Sequence, residues 1–345
     1  MSASEQPIFI IGTERSGSNL LRLILNAHSQ IAIPHPPHIM KYLAHIEPKY
    51  GDLQKDTNMR EMVGDILTLI DAHIFPWDEY PLTVDDIVRR APTRTMFGAV
   101  AAIYESVREH EGKARWGNKS TFMVHFTKPV LDVYPDARFV LLVRDPRDVA
   151  VSARRSVFSP CHPLLSAELW RHQQEIGLAL LDSLPSSSIA LLRYEDLTRA
   201  PQQTLQSLCA FLGEDFEPGM LQFFTGAQAK TGAGLSESWE NTGRPILQNN
   251  SQKFHKELSA AHIRTVEAIC AGPMEALGYD TVNSAADLQR VSISAVSRAR
   301  AQLAEAWMRS EIELRSLRKD SNHWRRWRRD TTANWLVIKR NGSFR

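Results

Sequence analysis

The sequence predicts an α/β fold in which a mainly parallel sheet is flanked by helices and followed by a C-terminal helical extension. Three short apolar runs predict buried strands, at residues 7–11, 138–143 and 189–192. Each run leads into a polar loop and then into a helical pattern, an alternation that is typical of parallel sheets. Ligands of such sheets bind beyond the carboxyl ends of the strands, so the polar residues there are the first candidates for a site.

The segments between these strands carry helix signals. Residues 20–25 have helical apolar spacing, and residues 42–110 are mostly helical with a proline-rich break near 76–81. A helix is expected to follow the second strand as far as residue 155. After the third strand, a helix is predicted at 201–212, because proline occupies its first position and glycine comes directly after its end.

Composition predicts a soluble globular enzyme in the cytoplasm. The 345 residues are 43% hydrophobic and 23% charged, and no apolar run is long enough for a membrane span or a signal peptide. The three cysteines are scattered and show no metal-binding spacing, which is typical of a reduced protein with buried thiols. We therefore expect a cytoplasmic location and no metal ion.

Charge divides the chain into two parts. Residues 281–345 contain 14 Lys and Arg against 6 Asp and Glu, whereas residues 1–280 contain 27 against 33. We predict a catalytic domain at 1–280 and a basic, coiled-coil-like helical extension at 281–345.

An apolar stripe within this extension predicts a short, imperfect coiled-coil seam, in which Arg300 and Ser310 occupy two of the expected positions. The stripe consists of Ile293, Val296, Leu303, Trp307, Leu314 and Leu317. Either the stripe pairs with its own copy in a homodimer, or it packs back on the catalytic domain of the same chain. We favour the homodimer.

A cluster of cations and indoles follows the stripe at 323–329, where Trp324 and Trp327 lie among four arginines. Such a cluster suits contact with anionic lipid or with an acidic partner. The alternative is a solvated basic end whose indoles cover the core. Nucleic-acid binding is not expected, because residues 1–280 are net acidic and no reading motif accompanies the cluster.

The loop after the first strand has the composition of an anion site. The sequence Gly-Thr-Glu-Arg-Ser-Gly-Ser-Asn at 12–19 lies between a strand and a helix, where backbone amides and the helix dipole favour negative charge. Its candidate binding residues are Arg15, Ser16, Gly17, Ser18 and Asn19. A nucleoside triphosphatase loop would have Lys at the Ser18 position, and no acidic partner for magnesium stands out, so a kinase of that type is disfavoured.

This loop resembles the 5′-phosphosulfate loop of sulfotransferases that use 3′-phosphoadenosine 5′-phosphosulfate (PAPS), in the bacterial branch with Arg rather than Lys. The segment 144–152 resembles the 3′-phosphate motif of the family, in which Arg144 and Ser152 would bind that phosphate. Tyr194, within Leu-Arg-Tyr-Glu-Asp-Leu, matches a residue near the adenine. Lys119, within Trp-Gly-Asn-Lys-Ser, matches the catalytic lysine. The ordered blocks cover roughly residues 7–280.

The resemblance implies in-line transfer of a sulfuryl group without a metal, leaving 3′-phosphoadenosine 5′-phosphate (PAP) as product. Arg15 and Lys119 are the candidates for stabilising the bridging and leaving-group oxygens. The acceptor would be a hydroxyl of a small molecule, lipid or carbohydrate. Two alternatives remain: a non-catalytic protein that binds PAP as a scaffold, and the disfavoured P-loop kinase.

At the base that would deprotonate the acceptor, this sequence departs from the family pattern. Many bacterial relatives have Pro-Glu-x-His after the first helix, and here the Glu position is Pro36 while His38 matches the His. His35 precedes it in the same proline-rich segment. Because an unperturbed histidine titrates near neutral pH, His38 and His35 are the candidate bases, with His38 preferred.

Overall fold

The computed structural model describes residues 6–248 and 250–341, and within them the strands form one parallel α/β sheet. The strand order is β2-β3-β1-β4-β5, and every neighbouring pair is parallel. The strands are β1 (Ile8–Gly12), β2 (Ile31–Ala32), β3 (Arg115–Asn118), β4 (Arg138–Val143) and β5 (Ile189–Arg193). The predicted strands at β1, β4 and β5 are confirmed, while β2 and β3 were not predicted.

Helices cover both faces of this sheet. In chain order they are α1 (Ser18–Asn26), α2 (Ile39–Leu43), α3 (Asp56–Asp71), α4 (Val84–Arg90), α5 (Met96–His110), α6 (Thr127–Val133), α7 (Pro146–Ala153), α8 (Pro163–Ser183), α9 (Tyr194–Arg199), α10 (Pro201–Leu212), α11 (Ala227–Leu235), α12 (Phe254–Glu257), α13 (Ala260–Ala276), α14 (Ala285–Gln289), α15 (Ala295–Lys319) and α16 (His323–Asn341). Short 3-10 helices lie at Ala44–Tyr50, Thr121–Phe126, Pro218–Thr225 and Glu237–Gly243.

The central strand, β1, supplies the core on both faces of the sheet. Phe9 and Ile11 of β1 belong to a large cluster that also takes buried side chains from α3, α5, α8 and α13. Ile8 and Ile10 belong to a second cluster with α1 and α10. Successive side chains of a strand point to opposite faces, and both faces are covered here, so the strand is a continuous apolar run rather than an alternating one.

Local signals in the sequence explain several helix ends. Asp145 accepts a hydrogen bond from the Arg147 amide at the start of α7, and Pro146 occupies the first helical position. α10 begins at Pro201 and ends before Gly213, whose φ of 78° is the left-handed conformation that terminates helices. The α10 prediction is confirmed at both ends, whereas α7 ends two residues earlier than expected.

The C-terminal extension packs on the rest of the chain through polar groups of α15. Glu305 accepts hydrogen bonds from the amides of Cys161 and His162, at 2.8 and 2.7 Å. Arg309 donates to the carbonyl oxygens of Val157 and Ser159, at 3.1 and 2.8 Å. α15 therefore holds the loop before α8 with its polar side.

The predicted apolar stripe of α15 lies on the other side of the helix. Val296, Leu303, Trp307, Leu314 and Leu317 are 48–74% exposed, and Ile293 is half-buried. The hypothesis that this stripe packs back on the catalytic domain is therefore wrong, because the helix docks through its opposite side, where Ala301 and Ile312 are buried beside Glu305 and Arg309.

α16 also packs on the catalytic part of the chain, and does so with apolar residues. Leu336 and Ala333 are buried in the large core cluster. Lys339 and Arg340 contact Asp65 of α3, with nitrogen–oxygen distances of 3.0 and 2.7 Å. Of the helices in the described residues, none is long and apolar enough to cross a membrane.

Candidate active site

The residues that follow the carboxyl ends of the strands meet at one edge of the sheet, because all the strand pairs are parallel. Arg15 follows β1, Arg144 follows β4 and Tyr194 follows β5. Lys119 directly follows β3, and both candidate histidines follow β2. The strands that the sequence did not reveal are thus the ones that position the lysine and the histidines.

Gly17 allows the loop after β1 to approach the end of β5. Its φ is 92°, and a Cβ atom there would lie 2.4 Å from the Tyr194 ring. Arg15 also has a left-handed φ, of 70°. Any residue other than glycine at position 17 would strain the backbone and displace the tyrosine.

Several hydrogen-bond donors of this loop face the start of α1. The Ser16 side chain is fully buried, and its hydroxyl has no partner among the described residues. No side chain among residues 6–248 and 250–341 caps α1, and the first amides of a helix lack partners within it. Ser18 and Asn19 belong to this first turn and line the adjacent cavity. The loop therefore has the buried donors that an anion requires.

Arg144 connects this loop to the other candidate nucleotide residues. Its guanidinium lies 4.3 Å from the centre of the Tyr194 ring and donates to the carbonyls of Arg15 and Asn250, at 3.2 and 2.8 Å. The Asn250 amide donates to the Tyr194 hydroxyl at 2.6 Å. Arg15 Nε donates to Ser152 Oγ at 3.1 Å, so the two predicted phosphate sites are in direct contact.

The Arg144 backbone is held by buried neighbours. Trp170 Nε1 of α8 donates to the Arg144 carbonyl at 3.0 Å. The next residue, Asp145, forms a buried ion pair with Arg147 at 2.7 Å, and its amide donates to Glu195 at 3.0 Å. This scaffold fixes the direction in which the Arg144 side chain leaves the strand.

Two cations lie side by side in this region. Burial, followed by repulsion from Arg144, lowers the pKa of Arg15 to about 10, while Glu14 acts in the opposite direction. Arg15 remains charged at neutral pH, and Nε of Arg144 is buried without a partner among the described residues. An anion bound here would relieve the repulsion between the two guanidinium groups.

Lys119 is buried beside these arginines. Burial, followed by the charge of Arg22, lowers its pKa to about 7, with Arg15 and Lys41 acting in the same direction and Glu14 in the opposite one. Its ammonium makes no hydrogen bond within the described part of the chain. Lys119 therefore changes its charge near neutral pH in the absence of an anion.

His38 faces the same cavity from the start of α2. Its φ is 55°, and its Nδ1 lies 2.9 Å from Ser120 Oγ. Burial, followed by the charges of Lys119 and Lys41, lowers the pKa of His38 well below its ordinary value. The imidazole is therefore neutral at pH 7 and has a nitrogen lone pair that can accept a proton.

His35 also lines the cavity but belongs to a buried aromatic group. Its Nδ1 lies 3.0 Å from His73 Nε2, and its ring is parallel to Phe75 and 4.8 Å from Trp239. Burial, followed by the nearby His73, lowers the pKa of His35 well below its ordinary value. The geometry gives His35 a packing role in addition to its place at the cavity.

The cavity has a volume of about 500 Å³, which is in the range of small-molecule sites. One side is formed by the loop after β1 with Arg144 and Tyr194. The lining also includes Phe158 and Trp239, whose rings stack at 5.3 Å with 5° between their planes. Among the described residues, no group of three or more His, Cys, Asp or Glu side chains could hold a metal ion.

The sequence did not predict that the C-terminal extension reaches this cavity. Arg329 and Asp330 of α16 line it beside Tyr42, and the Arg329 guanidinium lies 5.4 Å from the centre of the Tyr42 ring. Arg329 is buried and donates to Asp330 at 2.7 Å. Their position in a basic, tryptophan-rich segment gave no signal of a role in the site.

Comparison with known proteins identifies the family. The profile described as "Sulfotransferase family" matches residues 7–218. The chain belongs to the sulfotransferase family. This match includes the strand ends that carry Arg15, Lys119, Arg144 and Tyr194, but it does not extend to α15 and α16.

Curated relatives of this sulfotransferase are distant. Carbohydrate sulfotransferase 5 of Mus musculus is 29% identical over 178 residues, which are 45% of each chain. Carbohydrate sulfotransferase 1 of Danio rerio is 22% identical over 352 residues, covering 86% of this chain and 83% of its own. A protein-tyrosine sulfotransferase of Drosophila melanogaster is 22% identical and covers 79% and 51%. The match with the mouse relative thus spans less than half of that protein.

Solved structures share the fold of this sulfotransferase. The sulfotransferase domain of the olefin synthase of Synechococcus PCC 7002 has a TM-score of 0.58 and 20% identity, covering 81% of this chain and 97% of its own. The sulfotransferase domain of the curacin biosynthetic pathway has a TM-score of 0.51 and 19% identity, covering 80% and 98%. The predicted α/β fold and the predicted family are confirmed, and the bacterial branch stays a prediction.

Proposed function

We propose that this chain transfers the sulfuryl group of PAPS to a hydroxyl of an acceptor. The observation that carries the proposal is the set of buried donors around the loop after β1. Ser16 Oγ and Arg144 Nε lack a partner among the described residues, and Arg15 lies beside Arg144. Buried donors without partners are costly, so a ligand with several anionic oxygens would satisfy them.

The residues at this edge of the sheet fit both anionic ends of PAPS. The amides of the first turn of α1, with Ser16 and Ser18, would bind the 5′ end. Arg144 and Ser152 would bind the 3′-phosphate, and Tyr194 would lie near the adenine. Bound PAPS supplies a sulfuryl group that is already activated for transfer.

His38 is the proposed base. When Nδ1 carries the proton and donates to Ser120 Oγ, Nε2 keeps the lone pair that accepts the acceptor proton. The acceptor oxygen then bonds to sulfur while the bond from sulfur to the 5′-phosphate oxygen of PAP breaks. Lys119 and Arg15 would stabilise the charge that develops on this leaving oxygen. His35 remains the second candidate base.

A carbohydrate hydroxyl is the first acceptor class to test, ahead of a small molecule or a lipid. Two of the relatives described above are named carbohydrate sulfotransferases. Trp239 is buried between Phe158 and His35, so the half-buried Phe158 is the aromatic ring of the cavity lining against which a sugar ring would pack.

A homodimer through the exposed stripe of α15, and a cytoplasmic location, remain proposals. The three cysteines, Cys161, Cys209 and Cys270, are free and buried, in agreement with a reducing compartment. Recovery of the native protein from outside the cytoplasm in cell fractionation would contradict the location. Binding of nucleic acid is not proposed.

Calorimetric titration of the full chain tests the proposed donor. PAP should bind equally well with and without magnesium, whereas ATP with magnesium should bind poorly. Arg144→Ala and Arg15→Ala should each weaken PAP binding by about 10- to 150-fold, because each removes a charge-assisted hydrogen bond to a phosphate.

The matched control is Arg199→Ala, which removes an exposed arginine from α9 near the same sheet edge. Its PAP affinity should equal that of the unmodified chain. Magnesium-dependent ATP binding, or unchanged PAP affinity in both site variants, would contradict the proposed donor site and favour the kinase alternative or another location.

A further inference from the structure

The exposed face of α16 carries a stripe of large apolar side chains. Trp324, Trp327, Trp335 and Ile338 are 69%, 59%, 48% and 40% exposed. With about 100° of rotation per residue, these positions and the exposed Thr331 fall within an arc of about 80° on the helix. We name this arc the outer face of α16. Three indoles in one exposed arc form an apolar patch that a monomeric surface rarely shows.

Cations lie along one edge of this outer face. Arg325, Arg328 and Lys339 are exposed, and they occupy neighbouring positions on the same side of the arc. Lys339 contacts Asp65 at 3.0 Å and lies 5.1 Å from the centre of the Trp335 ring. Arg325 and Arg328 form no ion pair with the residues that the structure describes. The charges of Arg325 and Arg328, beside the indoles, are therefore available to an anionic ligand.

The outer face is not required for docking of α16 on its own chain. The opposite face does that, through buried Ala333 and Leu336. Arg326 forms a two-pronged ion pair with Glu313 of α15, with both distances 2.6 Å. Arg340 contacts Asp65, at 2.7 Å. α16 thus buries arginines on its docked side and exposes its tryptophans to solvent.

We propose that the outer face of α16 binds an anionic lipid surface, lying in the headgroup region without spanning the bilayer. An amphipathic helix with tryptophans on one face and flanking arginines has the features of an interfacial helix. Indoles prefer this depth because they combine an apolar body with a polar N–H. The unpaired Arg325 and Arg328 complement the negative headgroups.

A second copy of the chain fits this face less well. In an antiparallel two-fold contact through the outer face, the cations of both copies, Arg325, Arg328 and Lys339, would lie along the same edge of the interface. The acid of α16, Asp330, accepts hydrogen bonds from Arg329 of its own chain and lies outside the arc. Like charges facing each other would oppose such a dimer.

Lipid binding at this face would bring the cavity close to the membrane. Arg329 and Asp330 of the same helix line the cavity on another side of α16. The lipid surface and the cavity would then be separated by about one helix diameter, roughly 10 Å. One helix would serve both as cavity wall and as membrane contact.

Flotation of the full chain with lipid vesicles tests this proposal without any need for PAPS or an acceptor. The probes are vesicles of phosphatidylcholine alone and of phosphatidylcholine mixed with phosphatidylglycerol. The chain should float with the anionic vesicles only, and raising the ionic strength to about 0.5 M should weaken the binding. Arg325→Gln with Arg328→Gln should lower the partition coefficient by about 30-fold.

The combined Trp324→Ser, Trp327→Ser and Trp335→Ser variant should lose roughly tenfold or more in partitioning. The control changes an exposed apolar residue outside α15 and α16, Val282→Ser, which is 58% exposed and should bind as the unmodified chain does. Thermal melting confirms that each variant is folded. The proposal is wrong if the unmodified chain does not bind anionic vesicles or if the tryptophan variant still binds them. It is also wrong if these substitutions instead dissociate a complex with another protein.

Discussion

At the scale of single residues, the Tyr194 ring links the two predicted phosphate sites. It contacts Gly17, where a Cβ atom would lie 2.4 Å away, and it packs on the Arg144 guanidinium at 4.3 Å. A side chain at position 17 would displace the ring and with it the support of Arg144. The three residues therefore depend on one another, although they follow three different strands.

Lys119 should make PAP binding depend on pH. Its pKa is about 7, so the ammonium is charged below that pH and neutral above it. The phosphates of PAP favour the charged form, so Lys119 contributes to binding at lower pH and less as pH rises through 7. We expect the affinity ratio between the unmodified chain and Lys119→Met to fall by up to about tenfold per pH unit above 7.

Calorimetric titrations of PAP between about pH 6 and 9 measure this ratio. The comparison with Lys119→Met removes the titration of PAP itself, which affects both proteins equally. Lys128→Met is the matched control, since this exposed lysine of α6 pairs with Asp132 in the same helix. An affinity ratio that stays constant over the pH range would show that Lys119 does not contact the bound nucleotide.

The sequence could indicate site residues that directly follow strands. It could not indicate site residues that come from segments far along the chain. Arg15 and Arg144 belong to motifs after apolar runs, and the structure brings them together as predicted. Asn250 and His73 lie far along the chain from their partners Tyr194 and His35. No local pattern reports such contacts, because they depend on how distant segments pack.

At the scale of elements, β2 and β3 show why part of the sheet could not be predicted. β2 has two residues, and β3 consists of Arg115, Trp116, Gly117 and Asn118, which form no apolar run. Arg115 is nevertheless buried and donates to the carbonyl of Leu212 at 2.6 Å. These strands are specified by the pairing of β3 with β1 and of β2 with β3, and by tertiary contacts, rather than by local propensity.

The exposed stripe of α15 should be the seam of a homodimer. Leu303 and Leu314 are 74% and 62% exposed, so Leu303→Glu with Leu314→Glu should separate the copies without loss of folding. Burying a charge in an apolar seam is costly, because the carboxylate would lose its hydration. Light scattering should show half the mass for this variant relative to the full chain.

The control for this measurement is Trp324→Ser with Trp327→Ser on α16, which should stay dimeric. Truncation after Tyr279 is a poorer test, since it also removes Leu336 from the core. A monomeric full chain, or a double glutamate variant that keeps the dimer mass, would exclude α15 as the seam.

At the scale of the whole molecule, ion pairs between the C-terminal extension and the rest of the chain account for part of the charge asymmetry of the sequence. Arg298 of α15 pairs with Glu168 of α8 at 2.7 Å, and Arg340 of α16 pairs with Glu61 of α3 at 2.6 Å. The basic extension is therefore partly neutralised by the acidic catalytic part. The sequence reports the excess of charge but not which cations face inward.

The extension is also part of the structure that encloses the cavity. Arg309 of α15 holds the carbonyls of Val157 and Ser159, next to cavity-lining Phe158, and α16 contributes Arg329 directly. The domain boundary at residue 280 stays a prediction. The interpretation of the tryptophans as a cover for the core is wrong, since Trp324 and Trp327 are among the exposed residues.

Labelled PAPS tests directly whether this cavity transfers a sulfuryl group. The full chain is incubated with sulfur-35 PAPS and an extract of the cells that make it. Label should pass to an acceptor. His38→Ala should slow this transfer by about 10²- to 10⁴-fold with PAP affinity unchanged, and more than His35→Ala does. Tight PAP binding with no labelled product would contradict sulfuryl transfer and favour a non-catalytic scaffold, and full activity in both histidine variants would remove histidine from the mechanism.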